Sequence, residues 1–329
     1  VSADNYQMSR TIITTHDGTF HLDEILAICI RWICDGTEEP PEIIRTRKAT
    51  EFQGMVVDVG GVYDHHKNRF DHHQPSFVTT FPERFIKLSS AGLVYLHYGI
   101  PLIYSVAMLG DYTFTEEEIQ EMWFFMYDEY IAPVDLRDNG FMVLEEGRMI
   151  QQKATAVSVN DLASIVARCN MSKRPTYTAV WDGFRTALHL VYDDLFAYTY
   201  QLVTKFAEKK YILSMLLQRS EPHILLLDRF IASFDAIVDY NDSVLPEHRV
   251  LYVITPSEKS EWYSKGVPIR KGSFEIMKSF PQEWRGLRDE ALDEMMGIQG
   301  GIFCHANGFL LITRSMESIL VSTQKAVLI

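Results

Sequence analysis

The chain has 329 residues, 47% of them hydrophobic and 23% charged, an ordinary globular composition that argues against long disordered tracts. A formal net charge of -13 speaks against a broad basic surface of the kind that coats nucleic acid, yet it suits an enzyme whose bound cations supply positive charge locally. Four cysteines without CxxC spacing read as reduced thiols, and no uninterrupted apolar run of about twenty residues marks a membrane span.

VSADNYQMSR opens the chain without the apolar core of a secretory leader or the Arg-rich character of a transit peptide. An intracellular location is expected, with cytoplasm, nucleus and mitochondrion not distinguished. The β-branched run from Thr11 to Thr15 predicts a buried strand. After Gly18, the spacing of Ile25, Ile28, Cys29 and Trp32 predicts a helix over DEILAICIRWIC. GMVVDVGG reads as a second strand that ends at Asp58 and is broken by Gly60 and Gly61. LSSAGLVYLHYG predicts a helix capped by Ser89 or Ser90 and stopped by Gly99. A further helix enters at Thr115, with Glu116 to Glu118 favourable at its positive end, and closes at Pro133. A polar turn is expected from Asp135 to Gly140.

Residues 184 to about 218 read as one or two long helices, and RVLYVITP and GGIFCHANGFLLIT beyond them as short strands. The alternation predicts an α/β protein. Its N-terminal sheet is largely parallel and flanked by helices, a long connecting helix follows, and a smaller α/β domain ends the chain. The expected domains are 10–215, catalytic, and 216–329, substrate-binding.

Six of the eleven histidines lie between positions 16 and 73, each near an expected strand end. In an open α/β sheet, ligands gather at the carboxyl ends of the strands. HDGTFHLDE offers His16, His21 and Asp23; VVDVGG offers Asp58; FDHHQ offers Asp71, His72 and His73; LRDNG offers Asp138. Imidazole mixed with carboxylate suits Mn²⁺, Fe²⁺, Zn²⁺ or Co²⁺ rather than Ca²⁺. So many carboxylates also suit two metals about 3.5–4 Å apart that generate hydroxide and clamp a phosphoryl group.

The blocks HDGTFHLDE, VVDVGGVYD, FDHHQPSF, LSSAGLVYLHYG, DNG, PQEWRGLRDEALDEMMGI and GIFCHANGF, taken in order, resemble the Myg family. That family is named after a melanocyte-proliferation gene, is also described as metal-dependent protein hydrolases, and is a branch of the DHH phosphoesterase superfamily. The resemblance runs from about residue 10 to 325, and a eukaryotic member has 3′–5′ RNA exonuclease activity.

The resemblance implies that His16 and Asp23 ligate metal, that Asp58 bridges two ions, and that His72 and Asp138 complete the set. Asp71 would orient His72 from behind, and His73 would face the phosphate. Phe20 stands where the superfamily commonly has Asp, so His21 beside it is expected to take that ligand position. His65 and His66, in the earlier DHH triplet, read as surface extras. In the C-terminal half, GGIFCHANG resembles the Gly-Gly and His element of the DHH-associated (DHHA1-like) substrate domain. Gly300 and Gly301 would let the backbone approach an anion, His305 would donate to it, and Arg285 and Arg288, three apart on one helix face, would clamp phosphate or pair with Asp289 and Asp293. Trp284 beside them stacks on a base or sits in the core, the core being the commoner use.

The expected protein is therefore a metal-dependent phosphodiester hydrolase, foremost a 3′–5′ exonuclease on RNA or a short oligonucleotide. It would use two divalent ions, Mn²⁺ first, with Fe²⁺, Zn²⁺, Co²⁺ or Mg²⁺ as alternatives. The rival readings are a small-molecule phosphohydrolase acting on pyrophosphate, a cyclic dinucleotide or a nucleotide bisphosphate, and a non-catalytic metal-binding scaffold. No membrane partner is expected, and the oligomeric state is left open, a homodimer included.

Overall fold

A computed structural model describes residues 10–143, 149–151, 161–171, 177–257 and 259–329. The reading of VSADNYQMSR as free of a leader falls on residues 1–9, outside those described. The chain divides into two compact units, Val1–Thr204 and Lys205–Ile329. The division falls within a long helix, ahead of the expected boundary at residue 215.

In the first unit, β1 (Ile12–Thr15) and α1 (Leu22–Asp35) are followed by β2 (Glu42–Arg45), β3 (Met55–Val57), β4 (Tyr63–Asp64) and β5 (Arg69–Phe70). They form a five-stranded sheet in the order β2-β1-β3-β5-β4, parallel throughout except for the β4–β5 pair. Strands this short and buried are rich in Ile, Val and Thr because β-branched side chains pack well on a pleated surface. Helix α1 is buried continuously from Leu22 to Ile30, as befits a core helix, and stops at Gly36 in the left-handed conformation.

Helix α2 (Ser90–Leu109) packs on α1 and carries Ser89 as its N-cap. It does not stop at Gly99, as the sequence led us to expect. A Cβ there would lie 2.7 Å from Tyr95 and 2.8 Å from Trp123, so this glycine serves close packing and not termination. By length and composition α2 would suffice to cross a membrane, but half of that stretch is buried in the protein's own interior.

Helix α3 (Glu116–Met126) starts at the expected Thr115, whose hydroxyl accepts from Glu118 N while the Glu118 carboxylate accepts from Thr115 N. Pro133 does not end the helical path. A π-turn at Tyr127–Ile131 leads into α4 (Ala132–Asp138), where Pro133 occupies the first turn and its missing N–H costs nothing. The expected polar turn from Asp135 is thus helical as far as Asp138. β6 (Phe141–Val143), β7 (Met149–Gln151), α5 (Leu162–Cys169) and the 42-residue α6 (Tyr177–Gln218) follow.

The second unit contains β8 (Ile224–Leu226), α7 (Asp235–Ser243), β9 (Tyr252–Pro256), β10 (Trp262–Gly266), α8 (Asp289–Met296), β11 (Gly301–Cys304), β12 (Leu310–Thr313) and α9 (Met316–Leu328). Its sheet runs β11-β12-β10-β9-β8, antiparallel apart from β8–β9. Trp284 lies in the core of this unit, beside Phe280 and Tyr252, which is the commoner of the two uses expected for it.

Asp135 is fully buried where α4 meets the start of α2. Its Oδ1 accepts from Ser89 N (2.9 Å) and Ser89 Oγ (2.7 Å), and its Oδ2 from Tyr127 Oη (3.1 Å). Gly92 makes room for this carboxylate, since a Cβ there would fall 2.4 Å from Oδ1. Burial raises the Asp135 carboxyl to about 7, against the pull of its hydrogen bonds with Ser89 and Tyr127. Folded protein thus binds this proton more tightly than the unfolded chain does. The stabilising contribution is full below about pH 4 and disappears as the pH rises to about 7. Asp135→Asn keeps a neutral group at all pH values. Urea melts at about pH 4.5 and 8 should show wild type losing on the order of a few kcal/mol relative to the variant as pH rises; a constant difference would refute the assignment.

Candidate metal centre

Parallel pairing points β1, β3 and β5 the same way, so their carboxyl ends share one edge of the sheet. His16 follows β1, Asp58 follows β3, and Asp71 and His72 follow β5; all four are buried. Asp58 turns off its strand at φ 56, a left-handed conformation unusual for a residue with a Cβ and costing on the order of 1 kcal/mol. Asp23 and Glu24 stand in the first turn of α1, where the helix dipole favours acids. Asp138 stands in the last turn of α4, where the dipole opposes a carboxylate, so its position needs another source of stabilisation.

Among the described residues, three overlapping groups put their ligand atoms within 4.8 Å of one another: His16, His21, Glu24 and Asp58; Asp58, His72 and His73; and Asp23, His72 and Asp138. His16 Nε2 lies 3.0 Å from Glu24 Oε1 and 3.3 Å from Asp58 Oδ2. His72 Nε2 lies 3.2 Å from Asp138 Oδ2, 3.5 Å from Asp58 Oδ1 and 4.0 Å from Asp23 Oδ2. Yet both Asp23 oxygens, Glu24 Oε1 and His72 Nε2 are buried without a hydrogen-bond partner. Buried orphan acceptors cost about 1–3 kcal/mol each, and more when charged.

The ring of His16 sharpens the point. Its Nδ1 lies 2.9 Å from the Asp17 carbonyl oxygen, which can only accept. Arg47 Nη2, which can only donate, lies 3.2 Å from the same Nδ1, so the ring can also carry its proton on Nε2, and a proton or a bound cation must stand between that nitrogen and the two carboxylates. Arg47 steadies the same turn, its Nε 3.1 Å from Asp17 Oδ1 and its Nη2 donating to Asp17 O at 3.4 Å.

Without a metal ion, protons must fill that role. Burial alone lowers the His16 pKa, but Asp58 and Glu24 carry it up to about 10. Burial pushes the Asp23 carboxyl well above the usual range, and the neighbouring Asp58, Asp138 and Glu24 push it further. Burial would also raise Asp58, but His16 and His72 hold it below the ordinary carboxylate range. A divalent ion would relieve the same conflicts by charge and coordination together. The donor set fits Mn²⁺, Fe²⁺, Zn²⁺ or Co²⁺.

Glu24 is the residue that sequence reasoning missed. Its Oε2 accepts from His21 N at 2.8 Å, and the spacing alone reads as a helix cap. Its other oxygen faces His16. His21 itself is exposed at the start of α1, its ring centroid 5.9 Å from that of His16. Asp71 was expected behind His72, but its oxygens are spent elsewhere. Oδ2 accepts from Gly61 N at 2.5 Å, and Oδ1 accepts from His73 N at 3.1 Å and pairs with His73 Nδ1 at 2.7 Å. Asp71 therefore orients His73, whose side chain is 63% exposed. His65 and His66 are exposed and enter none of the three groups; His65 stacks on His97 at 4.2 Å.

In the second unit the Gly300 and Gly301 amides already donate to Asp293, at 3.1 and 2.6 Å. Both glycines are needed for that contact and its surroundings, since a Cβ on Gly301 would lie 2.8 Å from Asp293 and one on Gly300 2.9 Å from Ser318. Arg285 and Arg288 precede α8 and do not share a helix face. Arg285 Nε donates to Phe280 O at 2.8 Å, and the Arg288 guanidinium lies 4.2 Å over the Phe303 ring. The alternative pairings with acids are taken by others, Asp289 by Arg314 and Asp293 by the glycine amides. His305 Nδ1 accepts from Asn307 N at 3.1 Å, in the turn between β11 and β12.

A family model, MYG1_exonuc, described as an uncharacterised protein family (UPF0160), matches residues 12–327. The human MYG1 exonuclease is 32% identical over 330 residues, covering 95% of this chain and 85% of that protein. The bovine MYG1 exonuclease is 32% identical, covering 96% and 84%. A fission-yeast (Schizosaccharomyces pombe) MYG1 protein is 31% identical, covering 95% and 96%.

Because these ligands must lose protons to bind metal, Mn²⁺ affinity of chelator-stripped protein should rise with pH between about 6 and 9, with protons released on binding. Glu24→Gln should weaken binding by about tenfold or more. Calorimetry in buffers of different ionisation heat checks both, and pH-independent binding without proton release would contradict the centre.

Proposed function

The chain belongs to the MYG1_exonuc family, and from that premise we propose that it is a metal-dependent phosphodiester hydrolase of the DHH phosphoesterase type, an exonuclease that shortens RNA from its 3′ end. The observation that carries the reading is the set of buried, unpartnered atoms of Asp23 and Glu24, in the first turn of α1, and of His72, after β5, gathered where β1, β3 and β5 end. In this reading His16, His21, Glu24 and Asp58 hold one divalent ion, and Asp23, Asp58, His72 and Asp138 hold a second. When bound, such ions, Mn²⁺ foremost, supply Lewis-acid polarisation of a phosphoryl oxygen and neutralise its charge.

The chain's own side chains do the rest. Asp71 fixes the His73 ring through Nδ1, leaving Nε2 to hold a phosphoryl oxygen or to pass a proton to the leaving oxygen. Ser90 Oγ donates to Asp58 Oδ1 at 3.2 Å, which helps fix the shared carboxylate. In the second unit Arg288 and His305, with Arg285, grip the nucleic-acid strand. The Gly300–Gly301 amides hold Asp293 at the start of β11, and His305 stands at the other end of that strand. Relatives named exonucleases in human and cow support a nucleic-acid substrate.

Asp58→Ala and His72→Ala should each lower turnover of a 5′-labelled RNA by several orders of magnitude, since a lost ligand removes several kcal/mol of charge stabilisation. His65→Ala and His66→Ala should stay within about twofold. His305→Ala should raise KM on an oligonucleotide more than on a single-nucleotide phosphodiester, because only a long substrate reaches a remote contact. Preferred turnover of pyrophosphate or a mononucleotide, with His305→Ala equally harmful on short and long substrates, would reject the exonuclease reading. It would leave a small-molecule phosphohydrolase.

A further inference from the structure

Beside the ligands Asp23 and Asp138 the first unit has a hollow of about 450 Å³, within the range of small-ligand pockets. Leu22, Val134, Ala163 and Ala167 supply apolar lining. The two alanines stand four apart on α5, so they share one face of that helix. Their small side chains leave a smooth surface rather than filling the space.

The α5 face is fixed at both ends. At the start of α5, Asp161 accepts from Ser164 N at 2.8 Å and pairs with Arg137, which also donates to Ser164 Oγ at 3.3 Å. At its end, the Asn170 side chain accepts from Phe20 N at 3.0 Å and donates to Phe20 O at 2.8 Å. Gly183 of α6 comes so close to α5 that a Cβ would lie 2.2 Å from Cys169 O. The hollow is therefore preformed, with carboxylates from α1 and α4 and a smooth apolar face from α5 in one lining.

Resting on the phosphodiesterase reading, we propose that this hollow is a subsite for the terminal nucleoside, its base against Ala163 and Ala167 and its phosphate at the Asp23–Asp138 side. Arg137, the one guanidinium among the described lining residues, is committed to Asp161, so a phosphate would be met at the Asp23–Asp138 side by the ions of the proposed centre, and the rest of the hollow is left to the nucleoside. A flat apolar face suits a base of any identity, because it offers dispersion contact and no hydrogen-bonding group that reads the base's edge. The subsite thus selects a nucleoside end without reading its sequence.

The test compares an RNA ending in a normal nucleoside with one ending in an abasic sugar, together with equilibrium binding of adenosine 5′-monophosphate and ribose 5-phosphate. Ala167 is exposed, so Ala167→Phe can fill the hollow without disturbing the core; Ala163→Leu is a milder second variant. Wild type should bind adenosine 5′-monophosphate about tenfold more tightly than ribose 5-phosphate and cut the normal end about tenfold faster than the abasic end. Ala167→Phe should erase both preferences, bringing binding and cutting of the normal nucleoside down to the abasic level. Equal treatment of normal and abasic ends by wild type, or preferences that survive in both variants, would overturn the subsite while the hydrolase stands. Base-dependent binding that Ala167→Phe abolishes, in a protein that cleaves no phosphodiester, would support the subsite and reject the hydrolase.

Discussion

Three buried carboxylates, those of Asp23, Glu24 and Asp58, are gathered with two buried imidazoles where strands end, with the more exposed Asp138 beside them, and they cannot all be charged without a cation among them. Desolvating each ion costs several kcal/mol, and mutual repulsion adds to it. Much of the first unit is arranged around that conflict. Asp58 holds a left-handed backbone to bring its carboxylate inward, Asp138 sits at the unfavourable end of a helix, and His16 turns Nε2 towards two acids. Asp135 and Ser89 tie α4 to the first turn of α2, from which Ser90 reaches Asp58. The support of the site is thus as polar and buried as the site itself.

Much of this was legible in the sequence because it depends on local pattern. β-branched runs ending in Asp or His read as strands with functional ends, and the sheet places His16, Asp58 and His72 accordingly. What was missed depends on contacts between distant residues. Glu24 looks like a helix cap and is one, and only its second oxygen reveals the other task. Gly99 looks like a helix stop, but Trp123, far along the chain, requires it to be small. Asp135 looks like a turn residue until the partners Ser89 and Tyr127 appear.

The C-terminal unit gives a different lesson. A Gly-Gly pair followed by His suggests an anion cradle, and the amides do bind an anion, but it is Asp293 of the same chain. An internal carboxylate can mould a turn by the same chemistry that would hold a phosphate. His305 stands at the other end of β11, against Phe309 in the turn to β12, and Arg288 lies over Phe303.

The most direct test of the central claim is electron paramagnetic resonance of the chelator-stripped protein after loading with Mn²⁺. Asp58 belongs to both halves of the proposed centre, so the account predicts an exchange-coupled pair of ions whose coupling vanishes in Asp58→Ala. A spectrum of isolated Mn²⁺ ions in wild type, unchanged by that substitution, would contradict it.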